Sequence, residues 1–171
     1  MNKTDRVDLM TQKLNKEFPE LDFTAKEITG RVVRLASVFQ TRFERVLKIY
    51  DLSLQVFSIL AAIRVSGSPY AISPTEILST AFLTTGGLSN ILKRLESRNL
   101  VTRIPDPSDR RGVLVQLTPE GKKVIEEALL EQIEEEKKIT AILNQEEQAI
   151  LQQLLAKVLI DIDPRAEKTI S

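Results

Sequence analysis

Through most of this chain apolar residues return at three- and four-residue steps, the spacing of a single helical face. Residues 3 to 16 predict a leading helix with Leu9, Met10 and Leu14 on one side, ended before Phe18-Pro19. From about Asp22 to Asp51 the series Ile28, Val32, Leu35, Phe39, Phe43, Val46, Leu47 and Tyr50 predicts an amphipathic helix of about eight turns. Ser53 is placed to cap the next helix, with Val56, Phe57, Leu60 and Ile63 inside and Gly67-Ser68-Pro69 as its stop. Ser73-Pro74-Thr75-Glu76 combines an N-cap, a proline at the first helical position and a glutamate three residues after the cap, which opens a short helix ending near Ala81. Thr84 or Thr85 is expected to cap a further helix. That helix keeps Leu88, Ile91, Leu92 and Leu95 on one side and Ser89, Asn90, Lys93 and Arg94 largely on the other.

The pattern changes after Asn99. The segments LVTRI and VLVQL are rich in β-branched residues and flank the turn-forming stretch PDPSDRRG, which predicts a β-hairpin with a charged tip. Helical spacing then resumes from Thr118-Pro119-Glu120 to about Leu143. A last helix, Gln145 to Ile162, carries Ile150, Leu151, Leu154, Leu155, Val158 and Leu159 in one stripe. A helix of about 26 residues is about 39 Å long, more than the width of a small domain, so part of its apolar face is expected to pack on a second chain. The fold class is therefore mainly α with a small β-hairpin wing: a winged helix-turn-helix with N- and C-terminal dimerisation helices. Three regions are expected. Residues 1–51 hold N-terminal dimerisation helices, 52–117 a DNA-binding lobe, and 118–171 C-terminal dimerisation helices.

Composition removes much chemistry from consideration. With no cysteine and no histidine in 171 residues, disulfides, thiolate zinc sites, imidazole ligands and Ser/His or Cys/His catalysis have no residues to use. The run Glu134-Glu135-Glu136 lies on a solvated helix face and forms no paired-acid site, so neither an enzyme, a cofactor nor a metal is expected. The start MNKTDRVDLM has no apolar signal core, and the apolar runs fall short of the ~18 residues of a membrane span, which predicts a cytoplasmic protein. Formal net charge is zero, but it is segregated. From Thr84 to Gln116 six Lys and Arg face three acids, whereas from Thr118 to Asp161 five lysines face ten carboxylates. A basic middle suits phosphates, and an acidic arm suits solvent and protein.

The order of short helix, turn, polar-faced helix and charged hairpin is the plan in which the second helix enters a DNA major groove. Thr84, Thr85, Ser89 and Asn90 offer short donors and acceptors near a helix start, where backbone amides favour phosphate. Gly86 and Gly87 leave the backbone bare there, at about 1 kcal/mol each in helix propensity. Lys93 and Arg94 suit phosphates, although lone charges on a helix usually mark a solvated face. Asp109-Arg110-Arg111 puts two guanidinium groups on a small loop, suited to a narrow minor groove, beside a carboxylate able to orient one of them. Alone, that tripeptide reads equally as a solvated turn.

Together the strings TTGGLSN, LKRLESRNLV and DPSDRRGVLVQLTPEG closely resemble, across residues 53 to 125, the DNA-binding lobe of the multiple antibiotic resistance regulator (MarR) family. The resemblance implies a homodimer joined through the helix near residues 22 to 50 and both C-terminal helices, binding double-stranded DNA at a pseudo-palindromic operator. It places Thr84, Thr85, Gly87, Ser89 and Asn90 in the major groove, Arg94 on the backbone, Arg110 near phosphates, and Arg111 in the minor groove with Asp109 holding it. It also implies repression relieved by a small aromatic or phenolic effector. The peroxide-sensing branch needs a cysteine and the urate-responsive branch a tryptophan, and this chain has neither. The competing reading is a winged-helix protein-interaction module that does not touch DNA, because a fold does not fix a function.

Overall fold

The computed structural model describes residues 4–81, 87–109 and 111–163. Its elements in chain order are α1 (Arg6–Glu17), α2 (Thr24–Leu47), α3 (Leu54–Val65), β1 (Ala71–Ile72), α4 (Pro74–Thr80), α5 (Leu88–Ser97), β2 (Val101–Pro105), β3 (Val113–Leu117), α6 (Pro119–Thr140) and α7 (Gln145–Ile162). Reciprocal capping boxes open three of the helices: Asp5 with Asp8 for α1, Ser73 with Glu76 for α4, and Asn144 with Glu147 for α7. Each box satisfies two orphan amides at a helix start, which fixes where the helix begins. The Ser73 amide and hydroxyl also hold the Glu76 carboxyl below the ordinary glutamate range.

Several expectations shift in detail. The long helix is α-helical over 24 residues and tightens into a three-residue turn, Lys48–Tyr50, before Asp51 enters the left-handed region at φ 51°. That conformation suits a short polar residue and stops the helix. α6 ends at Thr140 rather than Leu143. A third strand joins the expected hairpin. β1 pairs antiparallel with β3 (Ala71 opposite Gln116, Ile72 opposite Val115), and β3 pairs with β2 from Val101–Leu117 to Pro105–Val113, giving the order β1-β3-β2. The Tyr70 ring lies 4.7 Å from the Arg64 guanidinium and 4.8 Å from the Lys122 ammonium, and Glu126 pairs with Arg64 at 2.7 Å. This cluster fixes the entry to β1 between α3 and α6.

The chain divides into two compact units, up to Leu129 and from Leu130 onward. The core of the first is aliphatic: Leu47, Ile59, Leu60, Ile63, Ile77, Leu92, Leu95, Val115 and Ile125 are all buried. Those residues come from six elements, so α2, α3, α4, α5, β3 and the start of α6 share one interior. α6 enters it at Gly121, where a Cβ would stand 1.8 Å from the Leu100 carbonyl oxygen. Only glycine permits that approach.

In the second unit α7 buries no residue, and its leucines, isoleucines and valine are 42 to 70% exposed. Monomers rarely leave so continuous an apolar surface uncovered. Among the described residues no single helix is long and apolar enough to cross a membrane.

Candidate nucleic-acid interface

The helix expected to read DNA is α5. Leu88, Leu92 and Leu95 face the core while Ser89, Asn90, Lys93 and Arg94 are exposed, so its polar side is the free side. Gly87 is the N-cap, at φ 87°, and its carbonyl accepts the amides of Asn90 and Ile91 at 3.1 Å each. Among the described residues no side chain caps this helix. A Cβ on Gly87 would meet nothing within 4 Å, so glycine is there for its backbone conformation and the space over the helix start is open. The expected caps, Thr84 and Thr85, lie outside the described residues, as does Arg110.

The wing loop is built by two carboxylates acting on backbone. Asp106 Oδ1 accepts the Ser108 amide at 2.8 Å and its hydroxyl at 2.6 Å, and these bonds, the hydroxyl's first, hold the Asp106 carboxyl below the ordinary aspartate range. Asp109 Oδ1 accepts the Arg111 amide at 2.9 Å, and the Asp109 carbonyl accepts the Gly112 amide at 2.8 Å. The Asp106 amide donates to the Gly112 carbonyl at 3.0 Å, closing the loop onto β2 and β3. Among the described residues no carboxylate pairs with the Arg111 guanidinium. Asp109 bonds the main chain of Arg111, so it shapes the turn rather than pairing with the cation. This turn chemistry is the usual way Asx side chains replace regular structure.

Two further arginines set the position of α5, and periodicity alone marks neither. Arg98, its C-cap, donates to the Asp51 carbonyl at 2.8 Å and the Tyr50 carbonyl at 3.1 Å, and approaches the Asp51 carboxylate at 3.6 Å. Those carbonyls belong to the turn ending α2, so one guanidinium ties the reading helix to the long helix. Arg103 on β2 pairs with Glu96 on α5 at 3.0 Å, joining helix to wing. Arg98→Ala is expected to lower stability by about 1–2 kcal/mol in urea unfolding, because two carbonyls lose a charged donor, and Arg98→Lys should recover only part.

Beside this anchor lies an open hollow of about 300 Å³ lined by Glu44, Lys48, Asp51, Leu52, Arg94 and Arg98, among others. It faces both α2 and α5. Among the described residues no group of three or more His, Cys, Asp or Glu is placed to hold a metal ion. The surface can therefore present short hydrogen-bonding groups on a helix, with cations on the same helix and on a projecting loop.

A family model described as "MarR family" matches residues 50–112. The chain is 34% identical over 152 residues to the HTH-type transcriptional regulator PecS of Dickeya dadantii, covering 89% of this chain and 92% of that protein. It is 33% identical over 132 residues to the multiple antibiotic resistance protein MarR of Escherichia coli, covering 74% and 89%. Among solved structures, a cysteine-to-serine variant of the E. coli protein complexed with operator DNA superposes with a TM-score of 0.67 at 29% identity, over 85% of this chain and 97% of that one. Bordetella bronchiseptica BpsR, whose DNA binding is regulated by 6-hydroxynicotinic acid, superposes with a TM-score of 0.66 at 26% identity, over 77% and 98%.

Proposed function

The chain belongs to the MarR family of transcriptional regulators, and from that premise we propose that it is a homodimeric repressor of a pseudo-palindromic duplex operator, released by a small aromatic or phenolic anion. Two copies, joined through α1 and α2 and through α6 and α7, set their α5 helices about 34 Å apart to meet successive major grooves. Thr84, Thr85, Gly87, Ser89 and Asn90 read the groove, Lys93, Arg94 and Arg110 take phosphates, and Arg111 enters the minor groove from a turn shaped by Asp109. The observation carrying this reading is that, among the described residues, no carboxylate pairs with the Arg111 guanidinium, while Asp106 and Asp109 are bonded within the loop to Ser108 and to the Arg111 amide.

The hollow beside Arg94 and Arg98 supports the effector half of the proposal. Lys48 and Arg94 line it beside the acids Glu44 and Asp51, and any ligand there touches both the long helix and the reading helix. Precedent comes from BpsR, whose DNA binding responds to an aromatic acid.

The test uses fragments of the protein's own promoter. Arg111→Ala is expected to weaken operator binding about tenfold at moderate salt and to reduce the slope of log affinity against log salt by about one, as the loss of one phosphate-level contact predicts. Mobility-shift titrations at several salt concentrations read both. Unchanged affinity and slope would place the wing off the DNA and favour a protein-interaction module.

A further inference from the structure

The wing is held unevenly along its length. At its root Val101 on β2 and Val115 and Leu117 on β3 are buried, and the Leu100 amide donates to the Leu95 carbonyl of α5 at 2.9 Å. Farther out the hairpin is open to solvent: Thr102, Arg103, Pro105 and Val113 are exposed, and the loop that carries Arg111 starts at Asp106. One charged contact spans from this outer half to the helix. Arg103 Nε donates to Glu96 Oε1 at 3.0 Å, and among the described residues it is the one ion pair joining α5 to the hairpin.

Glu96 stands seven residues after Ser89 and three after Lys93, so the three share one face of α5. A carboxylate on that face opposes phosphate binding by its charge. Nor does the pair contribute much to the fold, since its side chains are 40% and 32% exposed and such pairs stabilise little. Its effect on position is larger. Arg103 lies three residues before Asp106, about 10 Å along an extended strand, so a tilt of about 10° at Arg103 moves the start of the loop by about 2 Å. Recognition groups need placing to within about 0.5 Å.

We propose that Glu96 and Arg103 are positioning residues for DNA binding: their ion pair fixes the tilt of the wing against α5 and so sets the reach of Arg111 relative to Ser89, Asn90 and Lys93. This rests on the DNA-binding reading of the chain and adds to it the device that keeps helix and wing in step. The acid on the DNA face is there to hold the wing arginine's strand.

The direction of one substitution tests this. Glu96→Ala removes a negative charge from the face offered to DNA and puts a good helix former into α5, so electrostatics alone would tighten operator binding. Loss of a positioning contact instead weakens it, by about fivefold, and makes Arg111 matter less. Arg111→Ala, about tenfold in the unsubstituted protein, is expected to cost under about twofold beside Glu96→Ala. Arg103→Met, which keeps the apolar stem, should give the same pattern, and urea midpoints of both variants should match the unsubstituted protein. Mobility-shift titrations on the promoter fragment read the affinities. The assignment is overturned if Glu96→Ala tightens binding or leaves it unchanged, or if urea midpoints fall enough to account for the loss. It is also overturned if the loss from Arg111→Ala multiplies with that from either substitution, which for Arg103 would mean a separate phosphate contact. If the unsubstituted protein does not shift the fragment, the DNA-binding reading fails and takes this one with it; if it does and Arg111→Ala keeps its full cost, the positioning role alone fails.

Discussion

Gly121→Ala should destabilise this protein by about 3 kcal/mol or more, although alanine is the better helix former by about 1 kcal/mol. The cause is the Leu100 carbonyl oxygen, 1.8 Å from where the new Cβ would stand, only about half an ordinary van der Waals separation. Relief requires backbone to move, and the backbone is tied on both sides. The Leu100 carbonyl accepts the Thr118 amide at 3.1 Å, the Thr118 hydroxyl donates to the Asn99 carbonyl at 2.6 Å, and the same hydroxyl accepts the Gly121 amide at 2.9 Å. Leu100 itself is buried, and its amide bonds the Leu95 carbonyl at 2.9 Å. Shifting α6 outward would break these bonds and open the core around Ile125. In a chain of this size each kcal/mol lowers the melting temperature by about 2–4 °C, so a fall of about 10 °C in a calorimetric scan is expected. A rise instead would show that α6 does not approach the α5–β2 turn this closely. Because β2 starts at Val101, the residue after Leu100, loss here should also loosen the wing, and operator affinity should fall with stability.

That close contact shows what a sequence carries and what it withholds. The starts of α3 and α4 were legible because their determinants are local: Ser53 caps the first, and Ser73, Pro74 and Glu76 lie within four positions and act on each other, whereas α5 begins at Gly87 rather than at Thr84 or Thr85. The inward face of α5 was legible for the same reason, since Leu88, Leu92 and Leu95 repeat at the helical period. The wing loop, too, announced itself through its prolines, aspartates and glycine. β1 did not. Two residues cannot display an alternation, and Ala71–Ile72 becomes a strand only because β3 offers it an edge. The anchoring role of Arg98 was hidden because its acceptors are carbonyls 47 and 48 positions away, and every residue has a carbonyl. Gly121 was visible only as part of a motif, for the same reason. Asp109 was expected to orient an arginine side chain, because a carboxylate beside an arginine in sequence suggests an ion pair, whereas turn geometry offers it the closer Arg111 backbone amide.

The apolar stripe of α7 was equally plain in the sequence, and its consequence is the second large effect expected. Replacing Leu151 and Leu155 together by glutamate should convert the proposed dimer to monomers and abolish tight operator binding. Both leucines stay about half exposed within one chain, so neither supports its own fold strongly, and glutamate is a good helix former. Any loss therefore falls on association. Burying a fully exposed leucine contributes about 1.5–3 kcal/mol, about half of that remains to be gained at each of these positions, and a symmetric interface counts each substitution twice, so the four lost leucines shift dissociation by about a hundredfold or more even before charge repulsion is added. A monomer can occupy only one half-site and forfeits the gain from holding the second at short range, which is worth about a hundredfold or more. Sedimentation at micromolar concentration reads the first effect, and mobility shift on the promoter fragment reads the second. Retained helicity by circular dichroism establishes that the chain is still folded. If the variant sediments as a dimer and still shifts DNA, the face of α7 is not where two copies meet, and the placing of two reading helices one helical turn of DNA apart must come from α1 and α2 alone.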